Sequence, residues 1–198
     1  MAYPTVSAPY GLKPINRIDG LPYAGAIRQI PVASGYATAI LNGDAVKIDG
    51  TTGCIVADTS TNAATPCGVL VGCQYTNSSG QTVQGQYYPA AASNAVAYVV
   101  DDPMAAFKVA VVSSGTTMTY TDRTVVGSNL PLVQNTGSTT TGDSALAVTT
   151  TGGGTTATIP CRVIDVVPDT SVVVSGTTYY YELIVKLNTH QYNNTTGV

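Results

Sequence analysis

The sequence predicts an all-β fold: an antiparallel β-barrel or β-sandwich body with an extended, proline-rich N-terminal arm. Three observations lead there. Short runs of β-branched and aromatic residues recur between Gly, Asn, Asp and Pro turn signals. No window sustains the 3.6-residue apolar period of a packed helix. Five prolines, Pro4, Pro9, Pro14, Pro22 and Pro31, punctuate the start of the chain, with Tyr3, Tyr10 and Tyr23 between them.

Each element has its own warrant. Proline at that density removes backbone donors and keeps the chain extended, so residues 1–30 read as an arm and not as a helix or central strand. Its aliphatic side chains, Leu12, Ile15, Ile18, Leu21 and Ile27, need a surface to lie on. That surface is either the arm's own domain or a neighbouring subunit. Residues 31–192 form the β-rich body, either as one unit or as two small β subdomains divided near residues 103–130. Strand candidates run through Ile27–Val32, Ala45–Ile48, Cys54–Ala57, Gly68–Tyr75, Gln86–Tyr88, Ala95–Val100, Phe107–Val112, Cys161–Val167 and Tyr179–Leu187. The helix candidates are short, Pro103–Phe107 and a turn near Asp122–Val126. Residues 135–158 are Thr, Gly and Ser around Ala145–Val148, either a hairpin with long polar loops or a mobile surface excursion. Residues 193–198 read as a C-terminal tail.

Composition narrows the function. Charged residues make up 10% of the 198, against about 25% in an ordinary soluble domain. Thr, Ser, Gly, Asn and Ala fill the deficit, giving a weakly hydrated surface suited to contact with other protein. The net charge is -3, and the eight basic residues form no run in sequence. Nucleic acid is therefore not an expected partner, although folding could still gather them. No stretch reaches the roughly 20 apolar residues of a membrane span, and the N-terminus lacks the pattern of a secretory signal. Cys54, Cys67, Cys73 and Cys161 have no C-x-x-C spacing. They read as small buried hydrophobes ahead of disulfides.

Catalytic chemistry finds little support. His190 is the single histidine, and no G-x-S-x-G elbow accompanies it. It reads as a polar residue at a strand end or interface. Asp101-Asp102 precedes Pro103 and reads as a strand stop, with a calcium site as the minor alternative. The glycine run Gly152–Gly154 lacks the lysine and following helix of a phosphate loop. No catalytic residue, metal ligand or cofactor is expected.

Several short motifs carry a family resemblance. They are Tyr10-Gly11-Leu12-Lys13-Pro14-Ile15, Arg28–Ala33 with Gly35–Thr38, Asn42–Lys47, Gly68–Gly72, Tyr98–Pro103 and Asn188–Tyr192. Together they resemble head structural proteins of tailed phages, associated with capsid decoration (cementing). The resemblance implies a structural virion protein, assembled in the host cytoplasm. It would bind the outer capsid surface and bridge subunits of the major capsid protein. It also implies self-association, as a homotrimer ahead of a homodimer, with no nucleic-acid or membrane partner. The expected capsid or subunit contacts lie in the arm, at Tyr3, Pro4, Tyr10, Leu12, Pro14, Ile15 and Tyr23. The other reading is a receptor- or carbohydrate-binding β-domain of a phage head or tail fibre, suggested by the 13 Tyr and the Asn and Thr content.

Overall fold

The computed structural model describes residues 6–23, 27–194 and 197. The chain forms β1 (Lys13–Arg17), β2 (Ile27–Pro31), β3 (Ala45–Ile48), β4 (Ile55–Ala57), β5 (Gly68–Thr76), β6 (Thr82–Gly85), β7 (Ser93–Val100) and β8 (Ala105–Ala110). It continues through β9 (Val112–Ser114), β10 (Thr117–Met118), β11 (Asn129–Leu130), β12 (Leu132–Val133) and β13 (Ala147–Val148). The last strands are β14 (Cys161–Val166), β15 (Ser171–Val174), β16 (Thr177–Tyr180) and β17 (Glu182–Leu187).

Two antiparallel sheets dominate. The first has the order β2-β7-β5-β3-β4, with β6 also paired to β5; the second has the order β1-β8-β17-β14-β11. The chain changes sheet at Asp101–Met104, so residues 27–100 build one sheet and residues from 105 onward build most of the other. β1 is the exception, since it reaches forward to β8. The larger apolar cluster draws Phe107, Val109, Leu183, Val185 and Val163 from the second sheet and Ala45, Val69 and Val100 from the first. A second cluster lies on the far side of the first sheet, where Leu70, Cys73, Ala97 and Val99 meet Ile40, Ile55 and Tyr88. The all-β antiparallel expectation is met, in its sandwich form.

Local chemistry explains the strands. β5 and β7 are β-branched runs whose side chains alternate between the two clusters, Val69 into one and Leu70 into the other. Gly68 is required where β5 enters the sheet, because a Cβ there would lie 2.3 Å from the Val100 carbonyl oxygen.

Several expectations need correction. Pro103–Phe107 is not helical: from Ala105 it is β8, opposite β17, because pairing and burial of Ala105 and Phe107 outweigh alanine's helical preference. The other helix candidate, the turn near Asp122–Val126, is present as a short 3-10 helix, Arg123–Val125, capped by the Asp122 side chain, which accepts from the Thr124 backbone N–H. Gln86–Tyr88 forms no strand apart from a bridge between Tyr88 and Ile40, and the neighbouring Thr82–Gly85 pairs with β5 instead. The Tyr179–Leu187 run is divided at Tyr181 between a separate hairpin, β15–β16, and the second sheet. Of the two readings of residues 135–158 the hairpin agrees with the structure, since Ala147 and Val148 pair with Val133 and Leu132 and, with Ser144, Leu146 and Thr149, are buried.

Candidate interaction surfaces

The described residues between 6 and 31 pack on the domain itself. Pro9 and Gly11 are buried and Leu12 is fully enclosed in the main core. The Gly11 N–H donates to the Leu146 carbonyl (3.0 Å) and the Leu12 N–H to the Gly43 carbonyl (2.9 Å). Gly11 has φ +84°, and a Cβ there would lie 2.7 Å from Ser144 Cβ. Only glycine fits that crossing. The segment then becomes an edge strand in each sheet, β1 against β8 and β2 against β7. The two paired chains turn the corner between the sheets together. Edge strands are where prolines are tolerated.

The expected contact residues therefore separate. Tyr3 and Pro4 lie outside the described residues. Leu12 has no exposed surface, so it anchors the segment inside its own domain. Tyr23 packs against the same core. Tyr10 is half-buried; its hydroxyl donates to Glu182 Oε1, and Lys108 Nζ sits 5.5 Å from its ring centroid and 3.2 Å from Glu182. These contacts raise the Tyr10 pKa through burial and the adjacent carboxylate. Pro14 is partly exposed opposite Phe107. Ile15 is the extra residue of a β-bulge between Pro14 and Asn16 and is exposed.

Ile15 has company that the expected set omitted. Ile18, Leu21, Ile27 and Met104 are exposed along the same ribbon. The Ile18 N–H donates to the Met104 carbonyl and the Arg17 N–H to the Leu21 carbonyl. Arg17 pairs with Asp19 and Asp102, and Arg28 with Asp101 at 2.6 Å. Asp101 and Asp102 thus hold the corner rather than simply stopping a strand. The aliphatic spacing of Ile15, Ile18 and Leu21 was visible in sequence; the contribution of Met104 depends on the pairing of β1 with β8.

Folding also gathers charge. Across the outer face of the second sheet one rung reads Asn16, Ala106, Lys186, Arg162, Asn129, and the next places Lys13 opposite Lys108. Four of the eight basic residues share this face. Lys13 is paired with Asp143 and Lys108 with Glu182. Arg162 Nε donates to Asn129 Oδ1 at 2.6 Å. The unneutralised charge is small beside the six to ten phosphate contacts, or thereabouts, of a nucleic-acid site.

His190 is buried, 1% exposed. Its Nδ1 accepts the Tyr192 N–H (3.1 Å), which places the proton on Nε2, and Nε2 has no hydrogen-bond partner. Burial pushes its pKa down to about 4, against the opposing pull of the Asp102 carboxylate. It borders an open depression of ≈ 350 Å³ whose lining includes Thr65, Thr158, Asn188, Thr189 and Asn193 and holds neither carboxylate nor thiol. Cys67, Cys73 and Cys161 are buried free thiols with pKa values raised by burial, the reverse of an activated nucleophile. Among the described residues no three His, Cys, Asp or Glu side chains cluster as metal ligands, and no helix is long and apolar enough to cross a membrane.

No family model, no curated protein and no solved structure matches this chain. What fold and surfaces define is a class, a compact all-β sandwich whose N-terminal segment closes one side of both sheets.

Proposed function

We propose that this is a non-catalytic structural protein of a phage virion. It binds the outer surface of the capsid and bridges major capsid protein subunits. The observation that carries the reading is the corner ribbon. Five large apolar side chains are exposed: Ile15 on edge strand β1, Ile27 on edge strand β2, Ile18 and Leu21 between those strands, and Met104 in the crossing segment bonded to Ile18, in a chain with few charges. Clustered exposed apolar residues of this kind mark contact surfaces. Modest binding per copy suffices when many copies act on one shell.

The test is cosedimentation of the purified protein with expanded capsids that lack it. The wild type is expected to bind and to raise the temperature of capsid disruption. An Ile18→Asp, Leu21→Asp double variant is expected to keep its far-UV circular dichroism while binding falls by about tenfold or more, the scale of losing buried interface anchors. No wild-type binding would overturn the capsid reading. Undiminished binding by the folded variant would overturn the ribbon as its contact.

A carbohydrate-binding role has one observation in its favour. Tyr120 is exposed and packs on Tyr179 and Tyr181 with ring centroids 4.8 and 5.6 Å apart, a small aromatic platform. Glycan binding abolished by Tyr120→Ala, with no capsid affinity, would favour it.

A further inference from the structure

The β15–β16 hairpin stands apart from both large sheets and is poorly protected. From Thr170 to Tyr181 the chain carries no charge and no proline, and Val173 at 60% is the most exposed of the large apolar side chains among the described residues. An isolated two-stranded ribbon is marginal in water, whereas three or more strands are stable. Exposed edges are ordinarily blunted with charge, proline or a bulge. β1 and β2 are guarded in that way: β1 has Lys13, Pro14, Arg17 and a bulge, and β2 has Arg28 and Pro31. β15 has none of these.

The hairpin's register shows which backbone groups are free. Its two-residue turn, Ser175-Gly176, has positive φ at both positions, 51° and 82°, the type I′ geometry that closes on a hydrogen-bonded pair. That pair is Val174 with Thr177. Since pairs alternate along an antiparallel ladder, Val172 and Tyr179 also bond inward, while Ser171, Val173, Thr178 and Tyr180 direct their N–H and C=O groups outward. Neighbouring bonds agree. Tyr180 exchanges both backbone bonds with Thr121 (2.8 and 3.0 Å), and the Ser171 N–H donates to the Pro168 carbonyl. The β16 edge is thus occupied at Tyr180, and Tyr120 packs against Tyr179 on that strand. On the β15 edge, Val173 presents a donor and an acceptor that no backbone bond among the described residues uses.

We infer that β15 pairs with β15 of a second copy, antiparallel about a twofold axis through Val173, giving a four-stranded ribbon β16-β15-β15-β16. A free N–H and C=O on one residue select an extended strand as occupant. The absence of charge selects the chain itself. Self-pairing of β1 about its centre would set Lys13 against Arg17, like charges that repel across a ladder, whereas the uncharged β15 has nothing to repel. In the twofold register Val173 exchanges both backbone bonds with its equivalent, and Val172 lies opposite Val174 of the other copy. The pairing covers the exposed valines and satisfies the outward groups in one step. It specifies a dimer contact in place of a threefold one, and it is independent of capsid binding.

The test is sedimentation equilibrium of the full chain from micromolar to millimolar concentration, joined to cysteine crosslinking. Wild type is expected to dimerise reversibly. Val173→Pro removes the outward N–H and leaves the inward bonds of Val172 and Val174 intact, so it is expected to weaken dimerisation by about tenfold or more without loss of the β circular dichroism. Val173→Cys is expected to give a covalent dimer on mild oxidation, because hydrogen-bonded antiparallel pairs hold Cα atoms about 5.5 Å apart, within disulfide reach. Thr178→Cys, on the opposite edge, is expected to give none. A wild type that stays monomeric throughout, or a dimer that crosslinks equally well through Thr178→Cys, would overturn the inference.

Discussion

Replacing Leu12 by Ala is expected to destabilise the whole domain by about 3 kcal/mol, in the range found for fully buried leucines. Leu12 is 0% exposed within the main core, and Gly11 and Leu12 are bonded to Leu146 and Gly43 on either side, so the site has little freedom to collapse onto the cavity. Urea unfolding followed by circular dichroism would measure this as a lower midpoint with unchanged slope. An arm that merely lay on the surface would lose only a few tenths of a kcal/mol or so. A small effect would therefore show that residues 6–17 are dispensable to the fold. The large effect expected also means that deleting residues 1–26 would confuse loss of binding with loss of folding. Substitutions at Ile18 and Leu21 separate the two.

Acidification is expected to weaken the fold through His190. Its unfolded-state pKa is near 6.5 and burial pushes it down to about 4 in the folded protein. The unfolded chain therefore binds the proton first as pH falls. Stability from neutral imidazole is complete above 6.5, declines between 6.5 and 4, and declines no further below that. Full titration over that window corresponds to about 3 kcal/mol. Asp101, Asp102 and Arg28 surround the ring and are tied to one another or to Arg17. Asp44, whose pKa burial raises, changes in the opposite sense and offsets part of the loss. His190→Asn keeps an acceptor for the Tyr192 N–H and removes the titration. Urea midpoints at neutral pH and at pH 4 should thus differ less in the variant than in the wild type, and equal acid dependence in both would contradict the assignment.

Much of the fold is legible in the residues. Gly68–Tyr75, Ala95–Val100 and Cys161–Val167 are β-branched runs bounded by turn formers, and all three are strands. The misreadings share one physical origin, pairing with distant residues that sequence spacing does not display. Ala105 and Ala106 suit a helix until β1 and β17 are placed on either side of β8. The Thr- and Gly-rich stretch around Leu146 looks polar, yet Ser144 caps the Leu146 N–H and Asn135 bonds the Ala145 carbonyl, which allows burial. The ribbon was half visible. Proline density marks it as extended chain, but that it forms an edge strand in each sheet depends on partners, β8 and β7, that lie far along the sequence. Val173 gave a signal in the uncharged Ser171–Val174 run, although only the turn geometry shows which way its backbone points.

The forward reach of β1 has a consequence for how the chain comes together during synthesis. The first sheet uses residues 27–100 alone and can assemble as soon as they emerge. The second cannot: β1 waits for β8, and β8 is itself closed on its other side by β17, at residues 182–187. Contacts of such separation are slow to form, so Leu12 and the pairing edge of β1 stay uncovered until residues 182–187 have been made. Leu12 and the unpaired β1 backbone are then available to wrong partners during that interval, and slower translation of the later strands should prolong the exposure.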